Sequence, residues 1–215
     1  MTTAAHSAPT GTTTPPPAGS PGKPSAPTRL QPYRWTIAAY RKLAPTGLFN
    51  DMKTMLLHGE LYTMGMPKPP HDFALNAAYE FLRSFCPAGH HVRNQQGFDI
   101  GTDSDPGPDL AVVPGAIRDY ATTTPTTAIL VVEVAHTTLT IDTTTKAELY
   151  ATAGVPEYWV IDLEHRQLIV FRDPQPLPKG LGATAYKTHS TLSPTDTISP
   201  LAAPGASVLV SDLLP

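Results

Sequence analysis

The chain has 215 residues, 40% of them hydrophobic and 15% charged, with a formal net charge of −3. That length fits one domain, or one domain with a tail. The slightly acidic balance, without any Lys/Arg run, excludes the broad basic surface that grips duplex DNA through many phosphates.

Residues 1–32 are dominated by Thr, Pro, Ala, Gly and Ser, with almost nothing apolar to bury. Such a segment cannot offset the entropy of ordering, so a disordered tail is expected there, followed by a folded domain over 33–215. It lacks the basic start and apolar centre of a signal peptide. No apolar stretch approaches the roughly 20 residues of a membrane span. The single cysteine, Cys86, excludes an intramolecular disulfide and a cysteine zinc cage and fits a reducing cytoplasm. It ends an apolar helical pattern, which reads as a buried structural thiol.

Thr36 can cap a short helix from Ile37 to Leu43. Met55 to Met64 reads as two short strands around a turn, with apolar residues flanking the Gly59-Glu60 pair. After the prolines at 67, 69 and 70, a helix is expected from Asp72 to Phe85, with Ala74, Ala77, Ala78, Phe81, Leu82 and Phe85 on one apolar stripe. Val92 to Ile100 reads as a strand pair bent at Gly97, and Leu110 to Val113 as a short strand. Ile129 to Val134 is the best strand of the chain: β-branched, continuous, and so expected to be central and covered on both faces.

The next helix has Asp142 to Thr145 in its first turn and a stop at Gly154-Val155-Pro156. Lys146, Leu149, Tyr150 and Ala153 fall on one of its faces, with Asp142 one turn earlier. Tyr158 to Ile161 and Gln167 to Phe171 read as strands, Pro174 to Gly182 as a loop, and Tyr186 to Thr188 and Ser207 to Val210 as late edge strands. Leu213 and Leu214 are expected to tuck back as a cap. The order of elements predicts an α/β or α+β fold with a mixed β-sheet flanked by helices.

Four charged residues stand out within this frame. Asp109 starts a strand after the Gly107-Pro108 turn, Glu133 lies near the end of the central strand, and Lys146 lies on the inward face of the helix that follows. Glu60 sits in the early hairpin. A charge inside a buried element costs several kcal/mol unless it is paired or binds a metal. Two carboxylates at strand ends suit Mg²⁺, which takes oxygen ligands and keeps several waters. A lysine beside them can orient a water or offset charge on a phosphorane-like transition state. The same residues also read as a plain buried ion pair between Glu133 and Lys146. Asp109 alone reads as a turn residue, Glu60 as a solvated hairpin residue, and Asp142 as a helix-start residue that can pair with Lys146. His71, near a helix start, reads as a capping or surface residue in preference to a contact for a substrate phosphate, and Tyr150 as a wall of the site.

The blocks Gly107-Pro108-Asp109-Leu110-Ala111-Val112-Val113, Leu130 to Val134, Asp142 to Lys146 and Gly154 to Asp162 resemble the Uma2 (DUF820) family, part of the PD-(D/E)XK nuclease-like superfamily. His58-Gly59-Glu60-Leu61 and Trp35-Thr36-Ile37 resemble its N-terminal half. The resemblance implies a restriction-endonuclease-like core and a Mg²⁺- or Mn²⁺-dependent endonuclease acting on DNA. It implies a metal held by Asp109, Glu133 and the carbonyl of Val134. The superfamily pattern places its lysine two residues after the glutamate, where this chain has Ala135; Lys146, on the next helix, matches the family's alternative. Glu60 matches an acidic residue that completes the site, and a homodimer follows by analogy. The alternative function is a catalytically silent member of the fold that acts as a binding or regulatory module.

Overall fold

The chain divides into two units, Met1–Tyr33 and Arg34–Pro215, and every element below belongs to the second. The computed structural model describes Met1, residues 30–178 and residues 182–215. Residues 2–29, most of the segment expected to be disordered, lie outside the described residues.

The second unit opens with helix α1, Ile37–Arg41, where the Thr36 hydroxyl accepts the Ala39 N–H at 3.1 Å as an N-cap. Strands β1 (Lys53–Leu57) and β2 (Glu60–Met64) form a hairpin. Its two turn residues, His58 and Gly59, have φ of 49° and 73°, as a two-residue type I′ turn requires. Residue 59 is also crowded: a Cβ there would sit 3.0 Å from the Arg34 Cβ and 3.1 Å from the Trp35 carbonyl oxygen. Helix α2, Pro69–Phe85, starts three residues before the expected Asp72, because prolines fill its first positions where an N–H has no intrahelical partner to lose.

The main sheet contains β3 (His90–Asn94), β4 (Leu110–Pro114), β5 (Leu130–Ala135), β6 (Glu157–Asp162), β7 (Gln167–Pro176) and β8 (Thr184–Leu192), in that spatial order. Only β5 and β6 are parallel; the other neighbours are antiparallel. A parallel pair needs a crossover, and here it is a helix in three pieces: α3 (Leu139–Ile141), a π-helical stretch Asp142–Lys146, and α4 (Ala147–Thr152). The helix thus starts three residues earlier than expected and widens where the charged residues lie. A small antiparallel pair, β9 (Thr197–Ile198) and β10 (Val208–Leu209), ends the fold. Leu213 and Leu214 are buried behind it.

Two further expectations change. The second half of Val92 to Ile100 is not a strand: Ile100 makes only an isolated bridge to Ser104, and the Phe98 N–H is taken by the Asp105 carboxylate at 2.9 Å. The expected loop from Pro174 is strand as far as Pro176, paired with β8 through Pro174↔Tyr186 and Pro176↔Thr184. The prolines are tolerated because β6 stops pairing at Arg172, so their missing N–H groups face no partner strand.

Strand alternation sorts the core into two layers. One combines Leu110, Val112, Leu130, Val132, Val134, Trp159 and Ile161 with Ala74, Ala78 and Leu82 of α2 and with the C-terminal Val210 and Leu213. The other combines Ala111, Val113, Val131, Ala135, Tyr158 and Val160 with Met55 and Leu57 of the hairpin and Leu149 and Tyr150 of α4. All six residues of β5 are buried, Glu133 among them.

Candidate active site

Gly107 has φ of 54° and turns the chain into Pro108, so Asp109 immediately precedes β4. One step beyond the Leu110↔Val132 pair, the β4–β5 register sets Asp109 beside Glu133. The Val134 N–H donates to Asp109 Oδ2 at 2.9 Å and fixes this carboxylate against β5. Glu133 lies between Val131 and Ala135, both in the second core layer, so its side chain points toward the crossover helix.

On that helix the π-helical stretch carries Asp142 and Lys146. Its i→i+5 pattern widens the turn and brings residues four apart almost into line, a distortion frequent at functional sites. Lys146 Nζ lies 3.0 Å from Glu133 Oε2 and 3.0 Å from Asp142 Oδ1. The Tyr150 hydroxyl donates to Glu133 Oε1 at 2.6 Å. Asp142 is held in turn by the Thr138 hydroxyl at 2.5 Å, while its backbone carbonyl accepts from the Tyr158 hydroxyl at 2.9 Å. Glu133, Asp142 and Lys146 are 3%, 1% and 4% exposed, so each depends on its partners rather than on water.

A cleft of about 230 Å³ opens onto this cluster, with Asp109, Glu133, Val134 and Lys146 in its wall. Lys53, Lys68, His71 and His136 line it from the other elements. His71, on the first turn of α2, places Nε2 at 3.3 Å from Asp109 Oδ2; the carboxylate accepts, so this nitrogen is the donor. Its Nδ1 is buried without a hydrogen-bond partner, the Asp72 carboxylate being 3.8 Å away. The Gln95 amide donates to Asp109 Oδ1 at 3.1 Å.

The electrostatics follow from burial and from the excess of acid. Burial pushes the Glu133 carboxyl up to about 8; Lys146 opposes this, and Asp109 and Asp142 add to it. Burial works to lower the pKa of Lys146, but Glu133 and Asp142 outweigh it and raise it, so Lys146 stays a cation. Burial alone would raise Asp109, yet the His71 contact, the Val134 N–H and the Lys146 charge hold it below the usual carboxylate range. Asp109 in turn raises the pKa of His71. Ionisation of Glu133 is therefore opposed even with Lys146 against it, while that of Asp109 is favoured.

Asp109, Glu133, Val134 and Lys146 meet in one place. Glu60 does not join them. It starts β2 at the turn end of the hairpin, half-exposed, bonded to Arg34 at 2.5 Å and to the Tyr62 hydroxyl at 2.8 Å. The cleft is lined by the other end of that hairpin, Lys53 and Met64, roughly 13 Å along the strand. Sequence reasoning left Gln95 and Thr138 out of the site and ranked His71 first as a capping or surface residue, and only the i, i+4 spacing hinted at the Asp142 to Lys146 pair.

Among the described residues, no three His, Cys, Asp or Glu side chains stand together as a metal cage. The donor set here is instead two carboxylates on one cleft, which suits a hard cation completed by water and substrate oxygens. Among the described residues, no helix is long and apolar enough to cross a membrane.

The comparisons with known proteins agree with this architecture. The crystal structure of a "putative nuclease belonging to DUF820" from Anabaena variabilis ATCC 29413 superimposes with a TM-score of 0.62 and 16% identity. The match covers 83% of this chain and 97% of that one; at that identity it speaks for the fold. No curated protein matches. The family model Uma2, described as "Putative restriction endonuclease", matches residues 37–211. With that span covering most of the chain and the fold in agreement, this protein belongs to the Uma2 family.

Proposed function

We propose that this protein is a metal-dependent endonuclease that hydrolyses phosphodiester bonds of DNA in the cytoplasm. The observation that carries the reading is the meeting of Asp109, Glu133 and Lys146, two carboxylates and a lysine, on one recessed cleft. Asp109 and Glu133 would hold a divalent cation, Mg²⁺ or Mn²⁺, with the Val134 carbonyl as a further oxygen donor. When bound, such a cation polarises a phosphoryl oxygen and makes a bound water more acidic.

This chain's own residues do the rest. The Val134 N–H and the His71 and Gln95 side chains orient Asp109, and Tyr150 orients Glu133. Lys146, kept cationic, cannot accept a proton. It acts as a donor that positions the attacking water and offsets negative charge growing on the phosphate. Hydrolysis places the water oxygen on phosphorus and returns its proton to the departing sugar oxygen. Glu60 has no part in this arrangement, because it stands at the far end of the hairpin.

A second reading draws on one observation: Lys146 is already committed to both Glu133 and Asp142, as in a purely structural network. That reading is the catalytically silent binding or regulatory module. The decisive experiment is plasmid nicking by the purified protein with Mg²⁺ or Mn²⁺, alongside Glu133→Gln. Cleavage lost in that variant supports the nuclease. No cleavage, no heat of metal binding and a Tm indifferent to metal would favour the silent module.

A further inference from the structure

The cleft sets the basic residues of this acidic chain in an informative way. Arg34, Arg41, Arg172 and Lys187 each face a carboxylate. Lys53 and Lys68 do not: among the described residues neither has an acidic partner within ion-pair distance, and both line the cleft over the buried cluster. They come from separate elements, Lys53 from the start of β1 and Lys68 from the residue before α2. Beyond Met64 and Gly65 the cleft continues into a groove whose wall is hydroxyl-rich and uncharged, with Thr63, Thr140, Thr144, Thr145 and Tyr62.

Resting on the nuclease reading above, we infer that the substrate is a single strand of DNA, held by about two phosphate contacts through Lys53 and Lys68. Two features carry this. The reacting group must reach side chains that are 3% to 7% exposed, which a flexible single strand can do by bending inward. A phosphate inside a stacked duplex reaches such a depth only after the helix is deformed, at a cost of several kcal/mol. Duplex binding, moreover, draws on many phosphate contacts across a basic surface, and the net charge here is −3. The hydroxyl groove beside the lysines can accept sugar and phosphate oxygens without adding charge.

The test is binding of a fluorescent 12-nucleotide single strand, and of the same sequence as a duplex, by anisotropy with Ca²⁺ across a salt series. The single strand is expected to bind more tightly. Its slope of log K against log salt is expected near −1.4, about 0.7 for each of two contacts on a single strand. Lys53→Gln and Lys68→Gln should each weaken binding and flatten the slope by about 0.7, while the Ca²⁺-induced shift in Tm stays as in the unmodified protein. Tighter duplex binding, a slope steeper than about −4, no binding of the single strand, or a double variant that binds like the parent would each overturn the inference. Mg²⁺-dependent cleavage of duplex plasmid at full rate by the double variant would overturn it and leave the nuclease reading standing. Absence of metal-dependent cleavage by the unmodified protein, on single strand and duplex alike, would count against that reading instead.

Discussion

The two faces of the central sheet are built from the same strands and solve opposite problems. The face under α2 buries Leu110, Val112, Leu130, Val132 and Trp159 against Ala74, Ala78 and Leu82, and the buried charge it carries, Glu157, is paired with Arg172 and accepts the Trp159 indole N–H. The face under the crossover helix buries Tyr150, Tyr158 and Val160 around Asp109, Glu133, Asp142 and Lys146. Register decides the assignment: residues two apart on β5 share a face, so Val132 joins the first layer while Glu133 joins the second. The first face is organised for stability. The second holds charge that must be balanced internally or by a ligand, and its acid excess sets it apart from the first.

That contrast can be broken most sharply at Lys146. Lys146→Met removes the one cation shared by Glu133 and Asp142, and breaking a buried pair from one side costs about 3–5 kcal/mol. Urea unfolding at neutral pH should show that loss, together with loss of cleavage. On the opposite face, Leu82→Ala should cost about 2–5 kcal/mol and leave metal binding by calorimetry unchanged in the folded fraction. If Leu82→Ala altered metal affinity as strongly as Lys146→Met, the two faces would not be independent.

Glu133→Gln sharpens the comparison in the other direction. It keeps side-chain volume and removes a carboxyl that burial pushes up to about 8. The folded protein thus binds one more proton than the unfolded chain between about pH 4.5, the ordinary glutamate value, and about pH 8. Stability contributed by this group is therefore full below that window and falls as pH rises through it. The metal-free protein should lose unfolding free energy between about pH 4.5 and about pH 8, and Glu133→Gln should flatten that loss. Asp109 has the opposite sign: its lowered pKa gives stability that persists above the ordinary carboxylate range and disappears in strong acid. A smaller effect belongs to Tyr150→Phe. It deletes the 2.6 Å bond to Glu133 and should cost about 1–3 kcal/mol, with cleavage weakened rather than abolished.

Much of this was legible in the chain, for reasons that differ by residue. The apolar run of β5 and the stop at Gly154 announced the strand and helix, and the charges of Glu133 and Lys146 were conspicuous because they interrupt those patterns. The π-helical stretch was not legible, because hydrophobic periodicity cannot distinguish a widened turn from a regular one over five residues. His71 and Gln95 carry no local signal at all: they reach Asp109 from α2 and from the loop after β3, across 38 and 14 residues of sequence. The sheet extended through Pro174 and Pro176 because pairing on one side suffices there, which depends on where β6 ends and not on the prolines themselves.

Glu60 is the residue on which resemblance and geometry part, and it gives the smallest expected effect. Its carboxyl is held low first by the Tyr62 hydroxyl and then by Arg34, two neighbours on an exposed surface where water screens both contacts. Arg34 lies outside the wall of the cleft that holds the cluster, and Tyr62 lines only the groove beyond it. Glu60→Gln should therefore leave metal affinity, cleavage rate and the pH profile as they are, measured beside Glu133→Gln in the same assay. If Glu60→Gln lost cleavage as Glu133→Gln does, the hairpin would have to swing its turn end toward the cleft during the reaction. Its Gly59, wedged against Arg34 and Trp35, speaks against that movement.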